Sequence, residues 1–457
     1  MNIVTTLFEK NPESAIAIIH EGGSITYGEL RNNVDRVSNW LKDHPLWPTS
    51  RFPRVALSHP SGPFYIALAL AILEAGGCFL PIPDELTPTE RQSLLTTTAA
   101  HLLMTDEGAI TAVSHDSPPV FPEAELASLN PAFIRFSSGT TGRAKGIVLS
   151  HESLLARITA ANAALQIGPG DRVLWMLPMA HHFAVSIVLY LYHGATTVLV
   201  PSGTSAGLLK PSRDHRVTVI YGSPYHFAML AAEPDAVPLP DLRLAVSTAF
   251  ALPESTAEAF RKTYGQALHQ GLGIIEAGLP LLNQDAADSM PTSIGKPTPF
   301  FKTRLHPETG ELWIRGPGML DAYLSPWQPR QQILDSGWFG TGDIAECDSD
   351  GHYFLRGRTR TVINVGGLKC FPEEVEDILR RHEAVAAARV FGRAHPGLGA
   401  VPVAEIVVRD AHTAPSPIEL KKHCQQHLAT YKIPILFQKV DSLPLTSSGK
   451  ILRTATL

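Results

Sequence analysis

Residues 136–146 of the chain read FSSGTTGRAKG and combine three glycines, four hydroxyl side chains and two cations. Apolar residues flank this stretch on both sides, with Ile134 and Phe136 before it and Ile147 to Leu149 after it. The pattern predicts a strand, a flexible polar loop and a second strand. Glycine allows close backbone approach and positive φ, so the loop's N–H groups, hydroxyls and lysine are suited to a polyanion such as a phosphate chain.

Two other interpretations of this loop are a Walker A loop and a plain hairpin connection. A Walker A loop is excluded, because Gly-x-x-x-x-Gly-Lys-Ser/Thr does not fit these residues. A loop rich in Ser, Thr and Gly is also typical of a plain hairpin connection. The stretch by itself leaves the hairpin and the phosphate loop equally open, and only more distant segments can decide between them.

Composition limits the class of protein. The 457 residues suffice for two or three domains, and the hydrophobic content of 44% with 18% charged residues is that of a soluble globular protein. A net charge of −5 gives no reason to expect nucleic acid or an anionic membrane as a partner. The four cysteines include no Cys-x-x-Cys pair, which argues against a zinc site or a disulfide framework and favours a reducing compartment.

The N-terminus and the apolar runs indicate a cytoplasmic protein with no membrane span. Residues 1–5 lack the basic and apolar regions of a signal peptide. The longest apolar runs, 65–73 and 183–192, are too short to cross a bilayer.

Strand and helix patterns alternate along the first part of the chain. Val55–Leu57 predicts a strand, residues 64–73 a helix and Cys78–Ile82 a second strand, and the alternation returns at 172–200 and 217–232. Such βα units imply parallel sheets covered by helices.

The pattern changes after about residue 295. Glu311–Gly316 and His352–Gly357 predict short strands of a small barrel. A compact α+β segment should follow from about residue 360, with its first helix starting near Pro372.

Two segments carry candidate residues for chemistry in the βα region. His181 and His182 lie between a strand and an apolar helix; adjacent histidines rarely ligate one metal, so either this is a strand-end turn or one histidine lies beside a carboxylate substrate. Glu276 is a lone carboxylate in a Gly-rich apolar stretch, costly to bury unless it is paired. A metal ion bound to phosphates would pair it; the alternative is an exposed turn glutamate.

Two further segments lie nearer the C-terminus. Asp343 in a glycine-framed turn is suited to accept the hydroxyls of a ribose, with Arg358 as a donor, although an Asx-turn would also explain the aspartate. Lys450, in Ser-Ser-Gly-Lys-Ile-Leu-Arg, is either a lysine in a frayed tail or a mobile cation delivered to an active site.

These segments, in this order and over nearly the whole chain, resemble the adenylate-forming superfamily of acyl-CoA and aryl-CoA synthetases, luciferases and non-ribosomal adenylation domains. The opening loop matches the phosphate-binding signature, with Ala144 where proline is usual. Asp343 matches the Thr-Gly-Asp motif, Arg358 the Gly-Arg motif, residues 366–376 the start of the C-terminal domain and Lys450 the catalytic lysine. Each motif is moderately specific, and five in register are very specific.

The resemblance implies an α/β fold with a large N-terminal domain, residues 1–358, made of two βα-layered sheets and a small distorted β-barrel. A small mobile α+β domain, residues 359–457, would carry Lys450. The hinge would lie at Arg360, where most members have aspartate and some have lysine. Rotation at this hinge would exchange two faces of the small domain at the site.

The resemblance also implies a two-step reaction. A carboxylate attacks the α-phosphate of Mg·ATP, releasing pyrophosphate, and a thiol of coenzyme A or of a carrier-protein phosphopantetheine then takes the acyl group. Lys450 would bridge the two anions that must meet, and Glu276 would hold Mg²⁺. The residues implied for the nucleotide are Ser137, Ser138, Gly139, Thr140, Thr141, Gly142, Lys145, Leu272, Gly273, Asp343 and Arg358.

One departure from the family pattern affects the chemistry. The usual Tyr-Gly-x-Thr-Glu reads Leu272-Gly273-Ile274-Ile275-Glu276, so Ile275 removes a hydroxyl that would contact the α-phosphate. Such a hydrogen bond is worth about 1.5–3 kcal/mol. A catalytically weakened nucleotide-binding homologue therefore stays open as an alternative.

The acid is predicted from the histidine segment. Amino-acid-activating relatives carry an aspartate there, whereas this chain reads His181-His182-Phe183-Ala184, which resembles the aryl-acid branch. We expect an aromatic acid such as a hydroxybenzoate, with a fatty acid as the alternative and a luciferase-like oxygenase as a remote one. The acceptor would be coenzyme A or a separate carrier protein. The predicted catalytic residues are Lys450 and His181. The predicted acid pocket consists of His181, His182, Ser223, Ser247, Thr248 and Gly273.

Overall fold

The computed structural model describes residues 1–49, 52–84, 86–105, 109–115, 122–136, 146–200, 205–234, 236–359, 361–365, 368–396, 398–409, 414–444 and 451. Two compact units divide these residues. Unit 1 takes in those up to 302 together with 315–337, and unit 2 takes in 303–314 and those from 338 onward. The domain boundary at residue 358 and the hinge at Arg360, which lies outside the described residues, stay predictions.

Helices and strands alternate through most of the described chain. The helices are α1 (Ile3–Lys10), α2 (Tyr27–Asp43), α3 (Pro63–Glu74), α4 (Pro88–Thr98), α5 (Glu123–Ser128), α6 (His151–Leu165), α7 (Met179–His182), α8 (Val188–Tyr192), α9 (Ser205–Asp214), α10 (Pro224–Ala231), α11 (Glu254–Tyr264), α12 (Arg330–Ile333), α13 (Pro372–Arg380) and α14 (Pro417–Gln425). A π-helical segment, Phe183–Ile187, joins α7 to α8, and Thr430–Lys432 forms a 3₁₀ turn.

The strands are β1 (Ile16–His20), β2 (Gly23–Thr26), β3 (Arg54–Ser58), β4 (Cys78–Pro81), β5 (Leu102–Thr105), β6 (Ile110–Ala112), β7 (Pro131–Phe136), β8 (Gly146–Ser150), β9 (Arg172–Trp175), β10 (Thr196–Leu199), β11 (Val219–Gly222), β12 (Leu244–Ser247), β13 (His269–Ile274), β14 (Gly278–Leu282), β15 (Lys296–Pro297), β16 (Lys302–Leu305), β17 (Glu311–Arg315), β18 (Ala322–Tyr323), β19 (Gln328–Pro329), β20 (Phe339–Cys347), β21 (Tyr353–Arg358), β22 (Ile363–Val365), β23 (Leu368–Cys370), β24 (Val385–His395), β25 (Gly399–Val408) and β26 (Phe437–Lys439).

Unit 1 is built on two sheets. Within the described chain, one sheet has nine strands in the order β15-β14-β13-β12-β11-β9-β10-β1-β2 and the other has eight in the order β19-β18-β8-β7-β4-β3-β5-β6. The pairs along β13-β12-β11-β9-β10-β1 and along β7-β4-β3-β5 are parallel, and antiparallel strands lie at the margins. The predicted parallel sheets of an α/β fold are confirmed.

Local sequence explains the βαβ unit β3-α3-β4. Pro63 stands at the first turn of α3, where its missing N–H costs nothing. The helix is apolar on all sides and eight of its side chains are buried, as expected for a helix packed inside a large unit. Gly76 follows the helix at φ +85°, a conformation that glycine adopts without strain. Among the described residues, none of the helices is both long and apolar enough to cross a bilayer.

Unit 2 contains two further sheets. The strands predicted as a small barrel form an open sheet of four described strands, β16-β17-β20-β21. The predicted α+β segment is present, and α13 starts at Pro372. Helix α13 packs on a sheet with the strand order β23-β22-β25-β24, and β26 pairs with β25. The apolar residues shared by these elements form a core of their own, which includes Val375, Leu379 and Val390.

Candidate active site

Four parallel strands bring most of the predicted acid-pocket residues to one sheet edge. In the registers of β9, β11, β12 and β13, Trp175 lies beside Tyr221, and Ser247 lies between Gly222 and Gln270. The carboxyl ends of parallel strands meet at a common edge, which is where α/β proteins bind ligands. The predicted residues at or just beyond these strand ends are His181, His182, Ser223, Ser247, Thr248, Leu272 and Gly273.

Aromatic and polar side chains meet at this edge in what we call the strand-end cluster: Trp175, His182, Tyr190, Tyr221 and Thr248. The Trp175 ring makes edge contacts with His182 at 5.9 Å and with Tyr190 at 6.0 Å between ring centroids. The hydroxyls of Tyr221 and Thr248 are hydrogen-bonded to each other. Burial raises the pKa of both tyrosines, so their hydroxyls are neutral.

Two buried polar atoms at this sheet edge have no hydrogen-bond partner among the described residues. They are the indole N–H of Trp175, a residue 2% exposed, and the hydroxyl of Ser247, which is fully buried. Buried donors without acceptors are costly. Their position at the strand ends is what a site that hydrogen-bonds a polar group of a ligand would require.

The remaining pocket residues have more local roles. Ser223 caps α10, and its hydroxyl lies 2.8 Å from Nδ1 of His226. Burial lowers the pKa of His226. Gly273 faces Thr248 closely, since a Cβ placed at residue 273 would lie 3.3 Å from the Thr248 hydroxyl oxygen. A side chain at residue 273 would therefore fill space next to the strand-end cluster.

Glu276 is held by β18 and the residues just before that strand. Its backbone carbonyl accepts a hydrogen bond from Leu320 N at 2.7 Å, and its carboxylate accepts one from the Tyr323 hydroxyl at 3.2 Å. The side chain is half-buried. The carboxylate is thus fixed in position by β18 and the turn before it, and it is still reachable from solvent.

Arg157 of α6 positions the chain just before Glu276. Its Nε donates to Gly318 O at 2.9 Å, and its Nη1 donates to Ile275 O at 2.6 Å. The residue is 2% exposed, and burial lowers its pKa to about 10, against the opposing attraction of Glu276 and Asp321. The guanidinium is therefore still protonated at neutral pH.

A second arginine, Arg135 of β7, lies near the same carboxylate. Its Nη2 is 3.5 Å from Nδ1 of His181. Burial lowers the Arg135 pKa to about 10, and the attraction of Glu276 opposes that shift. Unit 1 therefore gathers a histidine, a carboxylate and two arginines close to one another.

The donor set around Glu276 fits a magnesium ion that arrives with its nucleotide. Among the described residues, no group of three or more His, Cys, Asp or Glu side chains could hold a metal by itself. Mg²⁺ in phosphoryl-transfer sites characteristically uses one or two carboxylates and completes its shell with substrate phosphates and water. One accessible carboxylate is consistent with that arrangement.

The predicted ribose residues belong to unit 2. Asp343 on β20 and Arg358 on β21 face each other in register, and Nε of Arg358 lies 2.8 Å from Oδ1 of Asp343. Asp343 is buried, and its backbone N–H donates to the Thr341 hydroxyl at 3.0 Å. The pair forms a fixed acceptor and donor at adjacent positions.

The predicted phosphate loop, the hinge and the catalytic lysine lie outside the described residues: Ser137, Ser138, Gly139, Thr140, Thr141, Gly142, Lys145, Arg360 and Lys450. Sequence reasoning missed Arg135, Arg157, Trp175 and Tyr190. A signal existed for the two arginines, because each is a charge within an apolar strand or on the buried face of a helix.

Two family models match the chain. A family model described as AMP-binding enzyme matches residues 6–324, and a second, described as AMP-binding enzyme C-terminal domain, matches residues 374–450. The chain belongs to the AMP-binding enzyme family. The predicted membership in the adenylate-forming superfamily and the prediction of an AMP-forming acid–thiol ligase are confirmed at this level.

Three similar proteins cover between 73% and 99% of the chain. A feruloyl-CoA synthase from Amycolatopsis sp is 29% identical over 96% of this chain and 94% of its own length. 4-Coumarate–CoA ligase 2 from Oryza sativa subsp. japonica is 31% identical over 73% of this chain and 63% of its own. The o-succinylbenzoate CoA synthetase of Bacillus subtilis, solved with an acyl-adenylate intermediate, has a TM-score of 0.88 at 25% identity and covers 99% of this chain and 97% of its own.

Proposed function

We propose that the protein activates an aromatic carboxylic acid with ATP, as an acyl-adenylate, and transfers the acyl group to a thiol. The observation that carries the aromatic assignment is the strand-end cluster, in which aromatic rings lie next to hydroxyl, indole and imidazole groups. A planar acid would pack against the rings, and a ring hydroxyl would pair with the Trp175 N–H or the Ser247 hydroxyl. The names of the feruloyl and coumaroyl relatives support the same class.

Each of these residues would have its own role in forming the acyl-adenylate. His181 would lie beside the carboxylate of the acid, and the strand-end cluster would hold its ring. Glu276 would hold Mg²⁺, which supplies charge neutralisation for the departing pyrophosphate. Asp343 and Arg358 would bind the ribose, and Lys450 would bridge the carboxylate and the α-phosphate, as the family resemblance implies.

Two acceptors are possible for the acyl group in the thiol-transfer step. Coenzyme A is supported by the names of the relatives, and a phosphopantetheinyl carrier protein is the second possibility. We propose that a lid domain, residues 359–457, turns at Arg360 between the two steps and withdraws Lys450. This exchange would let one site serve two chemistries.

The test is pyrophosphate release on addition of ATP, Mg²⁺ and a panel of acids. The panel contains 4-hydroxybenzoate, 4-coumarate, ferulate, benzoate and octanoate, each tested with coenzyme A and with a holo carrier protein. We expect release with at least one hydroxylated aromatic acid at a kcat/KM above that for octanoate. Preference for octanoate would replace the aromatic assignment by a fatty acid. ATP binding without release for any acid would point to the weakened homologue that Ile275 suggests.

A further inference from the structure

Arg135 occupies an unusual place for a charged residue. It is the fifth residue of β7, which pairs with β8 on one side and with β4 on the other, so its backbone is inside the eight-stranded sheet. The strand ends at Phe136, directly before the loop that the sequence predicts to bind phosphates. The Arg135 side chain therefore starts where the predicted nucleotide loop begins.

The Arg135 guanidinium makes few hydrogen bonds to the described residues. Arginine carries five N–H donors, and the described contact of this one is a long approach of Nη2 to His181, at 3.5 Å. Its Nε is shielded from solvent and has no acceptor among the described residues. An arginine needing no ligand would be expected to spend its donors on carboxylates or backbone carbonyls, as Arg157 does nearby.

A second unused donor lies in the same electrostatic neighbourhood. The hydroxyl of Tyr65, a residue 1% exposed, has no hydrogen-bond partner among the described residues. Two charges act on this hydroxyl, that of Asp84 more strongly and that of Arg135 in the opposite direction. The Tyr65 ring is fixed by edge contacts with Phe79 at 6.1 Å and with Phe183 at 5.9 Å, and Phe183 directly follows the two candidate histidines.

We propose that Arg135 binds the carboxylate of the acid substrate beside His181, with the Tyr65 hydroxyl as an additional donor. This inference rests on the proposed function. A carboxylate accepts from arginine in a planar, charge-assisted geometry, and it would satisfy the unpaired Nε. The contact also orients the carboxylate oxygen that attacks the α-phosphate, so Arg135 touches the reacting group.

The first experiment compares an anion with its neutral counterpart. Calorimetry would measure the binding of each panel acid and of its primary carboxamide, such as 4-hydroxybenzoate and 4-hydroxybenzamide, to the wild type and to Arg135→Met. We expect the variant to lose about 10- to 100-fold in affinity for the acid, which is the range for one charge-assisted hydrogen bond. Its affinity for the carboxamide and for AMP should stay within about threefold, and Arg135→Lys should recover part of the acid affinity because it keeps the charge.

A matched control is available on a neighbouring strand. Arg54 begins β3 in the same sheet, is 3% exposed and is paired with Glu123 at 2.9 Å. Arg54 lies at the amino end of its strand and Arg135 at the carboxyl end of β7, and parallel pairing through β4 places these ends at opposite edges. Arg54→Met should lower the Tm without changing the ratio of acid to carboxamide affinity.

Several results would overturn the assignment. One is an equal loss of affinity for acid and carboxamide in Arg135→Met, and another is a loss of affinity for AMP but not for the acid. The others are an unchanged affinity for both acid and carboxamide in this variant, and failure of the wild type to bind any acid of the panel. The proposed function fails separately. Missing pyrophosphate release in the wild type removes the ligase assignment, whereas normal release with an unchanged KM for the acid in Arg135→Met removes only the role of Arg135.

Discussion

Gly318 is the residue whose replacement should most directly disturb the support of Glu276. Its φ is +66°, and a Cβ added there would lie 2.4 Å from the backbone N of Arg157 and 2.5 Å from its Cα. Neither atom can move away easily, because Arg157 is inside α6. The Gly318 carbonyl accepts the hydrogen bond from Arg157 Nε. Gly318→Ala therefore forces apart the helix and the loop that jointly position Ile275 and Glu276.

The expected cost has two parts. The left-handed backbone costs alanine about 1–2 kcal/mol, and the overlap with a helix backbone adds about 1–3 kcal/mol. Gly265→Ala provides the matched control, because Gly265 has φ +70° but nothing within 4 Å of an added Cβ. Urea unfolding followed by tryptophan fluorescence should thus show a loss of about 2–5 kcal/mol for Gly318→Ala and about 1–2 kcal/mol for Gly265→Ala.

The comparison of the two alanine variants isolates the steric contact from the backbone conformation. A difference in free energy of unfolding below about 0.5 kcal/mol, within the additivity error of independent sites, would refute the argument from close contact. We also expect Gly318→Ala, and not Gly265→Ala, to raise the KM for Mg·ATP, because only the first displaces the carbonyl that Arg157 holds before Glu276.

Three further outcomes are expected. Burial lowers the pKa of His151 to about 4, so below pH 6.5 the unfolded chain binds a proton that the folded chain does not, and stability falls as the pH drops towards 4. Between pH 7 and pH 5 this residue should lower the free energy of unfolding of the wild type by about 2 kcal/mol. That loss should be absent in His151→Asn, which keeps an acceptor for the Ile3 N–H. Lys450→Ala should abolish pyrophosphate release and leave the thiolysis of supplied acyl-adenylate largely intact; equal loss of both steps would contradict the two-conformation mechanism. Trp175→Phe keeps the ring contacts and removes the unpaired N–H. The ratio of kcat/KM for 4-hydroxybenzoate to that for benzoate should therefore fall about 2- to 10-fold. An unchanged ratio would show that Trp175 does not bind the ring hydroxyl of the substrate.

The secondary structure of unit 1 was predictable wherever the signals are local. Pro63 and Gly76 bracket an apolar run, and the structure places α3 between them at Pro63–Glu74. The strands on both sides of the predicted phosphate loop also appear as expected, as β7 and β8. The barrel was predicted from strands that are present, but barrel closure depends on pairing between strands distant in sequence, which no local pattern records.

The candidate site shows the same division. The roles of His181, Ser247 and Thr248 in the site stay predictions. The position of His181 after a strand was predictable, and the structure has it in α7, beyond β9. Arg157 was not predictable, since its function depends on a contact with Ile275, 118 residues away, and on a glycine at residue 318 that leaves room for the helix backbone. A single sequence shows that such an arginine is charged and lies among apolar residues, but not which carbonyl it reaches.

The charge around Glu276 is opposite in sign to that of the whole chain. The chain carries a net charge of −5, whereas among the described residues three arginines, Arg135, Arg157 and Arg330, lie here with two carboxylates, Glu276 and Asp321. Arg135 and Arg157 both remain protonated at neutral pH because their pKa values are about 10. Holding two cations out of water costs free energy, and unused donors on both guanidiniums, Arg135 Nε and Arg157 Nη2 among the described atoms, add to that cost. An anionic ligand would return part of it, so acid and nucleotide should each raise the unfolding temperature of the protein, the acid less so in Arg135→Met. The two arginines would then act as donors fixed in place before substrate arrives, which is the arrangement that a reaction between two anions requires.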